Sequence, residues 1–257
     1  VLGVGSATWL LREIRDRNAL FRMAVVCGVL VGAALIGAGM LEHPLSHAAL
    51  RQVLTDAALG AASAVVVGGA TLFLLPTLER WLDLMTGMTL VELRDPKHPL
   101  LRELQQRAPG TYNHALNVAA IAEAAADALG ADGLLTYVGA LYHDVGKMNK
   151  PEYFVENQGG GANKHDRLSP AMSVLVIVGH VKDGLELARE AGIPRPLQHF
   201  IESHHGTTLV EFFFHRARQQ AAQASARWRS EHPDEPDDTA APEEFDYRYP
   251  GPKPRTR

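Results

Sequence analysis

Apolar residues crowd the first third of the chain and then thin into short helical periods. Residues 23–41 carry no acidic or basic side chain between Arg22 and Glu42, and residues 57–78 form a second such run between Asp56 and Glu79. At 1.5 Å per residue, each run is long enough to cross a hydrocarbon core about 30 Å thick. Residues 1–11 read as the end of a further apolar helix. Gly32, Gly37, Gly39, Gly60, Gly68 and Gly69, set among alanines, predict close helix–helix contact in lipid.

The pattern after residue 90 is that of soluble helices. Pro109-Gly110-Thr111 is expected to break the chain, with Thr111 as an N-cap. His114, Val118, Ile121, Ala122 and Ala125 then mark one helix face, and Gly130 ends that helix. Residues 134–145 predict the next helix, with His143 and Asp144 at its end. Residues 156–166 are polar and glycine-rich and read as a loop, with His165 and Asp166 beside a cleft. Ser169 and Pro170 open another helix that carries His180 late in its course. Pro194 and Pro196 bracket the start of a helix over 197–205. No alternation of useful length predicts a strand, so the expected fold is all-α: membrane helices, then a helical domain over 90–217. Residues 218–244 read as an acidic linker, of which 216–228 could continue a helix and 231–244 is disordered, and residues 245–257 as a Pro-rich extended end.

Charge adds topology. Arg12, Arg15, Arg17 and Arg22 precede the first full span, whereas the stretch between the spans carries only Arg51. The positive-inside rule places that arginine cluster in the cytoplasm, the loop around Pro44 outside, and everything after residue 78 in the cytoplasm. Trp9 and Trp81 fall near the inferred boundaries. A net charge of −4 over 257 residues, with no long basic patch, argues against a nucleic-acid polymer as partner. Cys27 is the only cysteine, which excludes an intramolecular disulfide.

The chemistry concentrates in the string ALYHDVGKMNKPEYF. On adjacent helical positions, His143 and Asp144 would point about 100° apart, so that one ligates one metal while the other reaches toward a second. A histidine–aspartate pair alone often caps or salt-bridges, and a lone His114 on a helix face reads as a core residue. Together with His114, His180, His204 and His205, however, the pair predicts a dinuclear centre of five imidazoles and one carboxylate. Imidazole-rich ligation suits two divalent transition-metal ions, Fe or Mn foremost, better than Mg or Ca. Lys147 and Lys150 are candidates to neutralise a phosphate oxygen; for each, the plain alternative is a surface charge.

These residues carry a resemblance. The HDVGK core with its flanking histidines looks like an HD-domain metallophosphohydrolase. More narrowly, LRDPKHPLLRELQQRAPGTYNHALNVA, ALYHDVGKMNKPEYFVENQ, SVLVIVGHVKDGLELA, ESHHGTTLVEFFFH and YRYPGPKP resemble the seven-transmembrane HD family, the PgpH-type cyclic di-AMP phosphodiesterases. The resemblance implies a membrane-anchored, metal-dependent enzyme that hydrolyses cyclic di-AMP to pApA, with membrane lipid as its surroundings and a homodimer left open. It also implies that His114, His143, Asp144, His180, His204 and His205 are metal ligands, with Asp144 bridging. His143, Asp144 and Lys147 would be catalytic, and Lys147 and Lys150 would contact substrate. The family pattern adds an Asp on a helix after YPGPKP. This chain ends at Arg257 before such a helix, so it is expected to be a fragment of low activity. The competing readings are a phosphohydrolase for another nucleotide and a non-catalytic nucleotide-sensing module. A cyclic di-GMP enzyme of the HD-GYP type is disfavoured, because GTTLVEFF follows the histidine doublet.

Overall fold

Two apolar helices begin the described part of the chain. The computed structural model describes residues 17–42, 46–82, 85–236 and 240–254, in two units, Val1–Leu93 and Arg94–Arg257. In the first unit, α1 (Arg17–Glu42) packs along α2 (His47–Leu82). Within them, Phe21–Glu42 and His47–Leu75 are long and apolar enough to cross a membrane. Small residues set the spacing. A Cβ on Gly68 would lie 2.3 Å from the Cβ of Ala24, and one on Gly39 would lie 2.5 Å from Val53 Cγ2. Gly37 and Gly69 face open space instead.

Helix α2 starts at His47, ahead of the apolar run 57–78, and takes the exposed Arg51 and Asp56 into its first turns. The helix end expected over 1–11, Trp9 and the loop around Pro44 lie outside the described residues. A short helix, α3 (Gly87–Arg94), is tied to α2 by a hydrogen bond from Thr89 Oγ1 to Glu79 Oε2 at 3.0 Å.

The second unit is all-α, as expected. It comprises α4 (Pro99–Arg107), α5 (Pro109–Ala128), α6 (Gly133–Tyr142), α7 (Pro170–Glu190), α8 (Arg195–Ser203) and α9 (Glu211–Glu231). Four 3₁₀ turns, Val145–Asn149, Pro151–Tyr153, Val155–Asn157 and Lys164–Arg167, connect α6 to α7. Leu101, Leu104, Val138, Tyr142, Met148, Leu197 and Ile201 form its fully buried core. Ser169 caps α7 by accepting from the backbone N–H of Met172, and Asp132 caps α6 by accepting from Leu135. The first of the 3₁₀ turns lies directly on α7: a Cβ on Gly146 would sit 1.9 Å from the His180 carbonyl oxygen and 2.4 Å from the Gly184 nitrogen. Only a glycine admits that approach.

Several expectations shift. Helix α5 begins at Pro109, after Ala108 as N-cap, so Thr111 is a buried first-turn residue and not the cap. Proline is compatible with this position because its missing N–H has no helical partner there. The buried stripe of α5 runs through Thr111, Ala115, Ala119 and Ala126, while Ile121 is 72% exposed. Alanines let α6 approach closely, and that packing takes precedence over the bulkier apolar face. Helix α6 stops at Tyr142, before Asp144. Helix α9 runs on to Glu231, so residues 218–231 are helical rather than part of a linker. The chain end is pinned: Val210 N donates to Tyr247 O at 2.8 Å, and Tyr249 N donates to Thr208 O at 3.0 Å. Leu209 and Arg248 form an isolated antiparallel bridge.

Candidate metal centre

Three of the predicted imidazoles are oriented by their own helices. The Nδ1 atoms of His143, His180 and His204 lie 2.6, 2.5 and 2.9 Å from the carbonyl oxygens of Ala140, Ile177 and Ile201, each three residues earlier. A carbonyl can only accept, so each Nδ1 carries a proton, and whenever the ring is neutral each Nε2 presents a bare lone pair. These lone pairs turn toward Asp144, which is 2% exposed. His143 Nε2 is 3.1 Å from Asp144 Oδ2, while His180 and His204 Nε2 are 3.3 and 3.5 Å from Oδ1. Despite those short distances, Oδ1 has no hydrogen-bond partner among the described residues. Oriented imidazoles around an unsatisfied buried carboxylate oxygen are the donor set of a cation site, and the Nδ1 bonds to carbonyls are the outer support such ligands require.

Two groups share Asp144. In one, Asp144, His180, His204 and His205 each bring a ligand atom within 4.8 Å of the others; in the second, His114, His143 and Asp144 do so. His114 is the loosest member, half-exposed with Nε2 3.9 Å from Asp144 Oδ2. All six residues predicted from sequence therefore converge, and they can hold two cations with the carboxylate between them. His143 and Asp144 both point into this centre instead of diverging, because helical winding ends at Tyr142 and Asp144 takes φ −108°, ψ 14°.

The electrostatics suit ligation. Burial alone would raise the Asp144 carboxyl, but the imidazoles of His143, His180 and His204 hold it well below the usual carboxylate range. Burial lowers His143, yet its contacts with Asp144 and the Ala140 carbonyl outweigh this and leave it raised. His205 is pushed down to about 3 by burial and then by His204 and His180, so its ring is neutral at physiological pH. The Tyr249 ring stacks on it at 4.0 Å with planes 15° apart.

Lys147 lies within the centre. Its Nζ is 2.8 Å from Asp144 Oδ2 and 3.0 Å from Glu156 Oε1. Burial would lower this amine, but Asp144 and Glu156 raise it and keep it charged. Lys150 is exposed and does not line the cleft. His165 is buried and does line it, with Nε2 3.0 Å from the Tyr153 carbonyl oxygen. This cleft has a volume of about 450 Å³; Lys147, His180 and His205 form its polar side and Tyr153, Phe154 and Phe213 its aromatic side. Sequence reasoning missed Glu156, Thr111, Asn157 and Tyr249. The aromatic strings EYF and EFFF were the available signal for the cleft wall.

Both units are similar to known proteins. The family described as HD domain matches residues 111–240, and the family described as 7TM receptor with intracellular HD hydrolase matches residues 1–86. The cyclic-di-AMP phosphodiesterase PgpH of Listeria monocytogenes is 39% identical over 262 residues, covering 100% of this chain and 33% of that protein. Its Bacillus subtilis namesake is 40% identical over 198 residues, covering 77% of this chain and 25% of its own. The chain thus spans a third or less of the length of these relatives. The crystal structure of the L. monocytogenes PgpH HD domain in complex with cyclic-di-AMP superposes with a TM-score of 0.52 at 45% identity, covering 62% of this chain and 66% of that one. The same domain without that description matches with a TM-score of 0.52 at 44% identity, covering 62% and 65%. With the histidine–aspartate centre in the second unit and two membrane-length helices in the first, this chain belongs to the HD-domain family, in its seven-transmembrane branch.

Proposed function

We propose that this chain is the membrane-anchored catalytic portion of a metal-dependent phosphodiesterase that opens cyclic di-AMP to linear pApA. The observation that carries the reading is the convergence of the His143, His180 and His204 Nε2 atoms on Asp144, in a buried centre beside a cleft of about 450 Å³. The relatives named as cyclic-di-AMP phosphodiesterases supply the substrate. His114, His143, Asp144, His180, His204 and His205 hold two divalent cations, Fe or Mn by donor chemistry, with Asp144 shared. When bound, such a pair activates water and neutralises charge developing on a phosphodiester. Lys147 holds a full positive charge at the edge of the cleft, where it binds a non-bridging phosphate oxygen. Tyr153, Phe154 and Phe213 offer aromatic surface to a base and exclude water from one side. Lys150, being exposed, has at most an outer role in attracting the anion.

The test is turnover by the Mn- or Fe-loaded protein extended through the Asp-bearing helix that the resemblance implies, in detergent, offered cyclic di-AMP, cyclic di-GMP and linear dinucleotides. Formation of pApA, lost in His143→Ala, is the expected result. Turnover of cyclic di-GMP alone would move the specificity to another nucleotide, and tight binding of cyclic di-AMP without turnover would make the domain a sensor. For topology, the arginine asymmetry places the helical domain in the cytoplasm and the stretch around Ser46 outside. In a Cys27→Ser background, an impermeant thiol reagent applied to intact cells should label Ser46→Cys and spare Ser230→Cys; the opposite result reverses the orientation.

A further inference from the structure

Lys147 occupies a position that a bound cation also needs. Its Nζ contacts Asp144 Oδ2, the oxygen that faces His143 and His114. An ammonium 2.8 Å from that oxygen repels a divalent ion brought onto it. Loading the centre therefore favours movement of Nζ away from Oδ2. The other oxygen within its reach, Glu156 Oε1, already lies 3.0 Å away.

That carboxylate is fixed independently of Lys147. Glu156 Oε1 accepts from Thr111 Oγ1 at 3.1 Å, Thr111 Oγ1 accepts from Asn157 Nδ2 at 2.8 Å, and Asn157 Oδ1 accepts from the Thr111 backbone N–H at 3.1 Å. Thr111 is fully buried. The backbone of this turn presses on the first turn of α5: a Cβ on Gly110 would lie 1.8 Å from the Glu156 carbonyl oxygen. Glu156 is thus anchored by α5 on one side and faces the ammonium on the other. It also lines the same cleft as Lys147.

We propose that Glu156 is a positioning residue that receives the Lys147 ammonium when a divalent cation takes Asp144, and keeps it at the cleft edge for the substrate phosphate. The proposal rests on the reading of the histidine–aspartate cluster as a metal centre. It explains why a lysine beside the ligands does not simply compete with the metal. Once displaced from Oδ2, the charge has a prepared partner within a small side-chain rotation, and the partner holds it near its working position.

The test is a double-mutant cycle read on metal affinity, with Mn²⁺ alone as probe and the full chain in detergent. Glu156→Gln is expected to weaken Mn²⁺ binding about tenfold, in the range typical of outer-shell partners. Lys147→Met, which removes the competing cation, is expected to tighten it. In the Lys147→Met background, Glu156→Gln should change the affinity by less than about twofold. An equal loss in both backgrounds would overturn the proposal, because Glu156 would then act on the metal as a simple negative charge. If Glu156→Gln fails to fold, Thr111→Val frees the carboxylate without altering any charge and should show the same Lys147-dependent loss; a loss independent of Lys147 counts against the proposal. Failure of the unaltered chain to bind Mn²⁺ would overturn the metal reading and this proposal together. Coupling on Mn²⁺ with no turnover of cyclic di-AMP by the protein extended through the Asp-bearing helix would support the proposal and overturn only the substrate assignment.

Discussion

His180 and His204 face each other through their Nε2 atoms at 3.4 Å, while each Nδ1 donates to a carbonyl three residues earlier. With both rings neutral, two lone pairs at that separation, beside the unsatisfied Oδ1 of a buried carboxylate, repel unless a cation lies among them. His180 lies in α7, and His204 directly follows α8, which packs on α7. Removing the carboxylate should therefore abolish cation binding while leaving the helices in place. Asp144→Asn is expected to weaken Mn²⁺ affinity by more than the ~10–100-fold typical of outer-shell changes, since it strips a ligand common to both positions. His180→Ala should remove one cation and retain the other. Elemental analysis of the purified variants checks both, and unchanged metal content in the pair would refute the shared-ligand assignment.

A pH dependence follows from His143. Its folded pKa lies above the ordinary 6.5, so in the metal-free protein its contribution to stability is full below 6.5 and fades as pH rises through the raised value. Metal binding requires the opposite state, with the proton gone from Nε2. The increase in melting temperature on adding Mn²⁺ should accordingly grow as pH rises through neutrality. His205 adds nothing to this slope in that interval, because it is neutral down to about 3. Thermal melts with and without Mn²⁺ at several pH values check this, and His143→Ala should flatten the difference.

The six ligand candidates were legible in the sequence because histidines at separated helical sites have few other reasons to occur together. The direction of each side chain was not. Reading His143 and Asp144 as consecutive helical residues sends them about 100° apart, but the helix stops at Tyr142, and a 3₁₀ turn held against α7 by Gly146 brings both to one centre. His114 fell on a face assigned to the core. The true core stripe of α5 uses alanines, which carry little hydropathy signal, and the half-exposed His114 faces the centre. The Glu156–Thr111 contact joins residues 45 apart through a turn that has no periodicity, so no local pattern could announce it.

Gly146 offers a test of the fold that supports the centre. A methyl group there would meet the His180 carbonyl and the Gly184 backbone, neither of which can yield as a side chain would. Gly146→Ala is expected to cost at least the ~1–3 kcal/mol of overpacking and to weaken metal binding by moving His180. Gly161→Ala, which meets nothing within 4 Å, should leave stability within about 0.5 kcal/mol. Denaturant melts of the two variants compare them directly, and equal midpoints would show that the 145–149 turn does not depend on close contact with α7.

Tyr249 should matter to metal retention although it ligates nothing. Its ring lies flat on His205, and its backbone N–H is fixed to Thr208, so the segment around Tyr249 covers His205. The stacked pair restricts the rotation of His205, whose ring nitrogens have, among the described residues, no carbonyl contact of the kind that orients His143, His180 and His204. Aromatic pairs contribute about 0.5–1.5 kcal/mol beyond area burial, which corresponds to roughly 2–10-fold in affinity. Tyr249→Ala is expected to weaken Mn²⁺ binding by that amount, and Tyr249→Phe, which keeps the ring, to preserve it. The same loss in both would assign the effect to the hydroxyl instead of the stack. No loss in either would mean that His205 is held by the turn at 204–208 alone. Titration of each variant with Mn²⁺, followed by paramagnetic broadening of the histidine ring signals, separates these outcomes because the His205 resonance alone should lose its ordered environment in Tyr249→Ala.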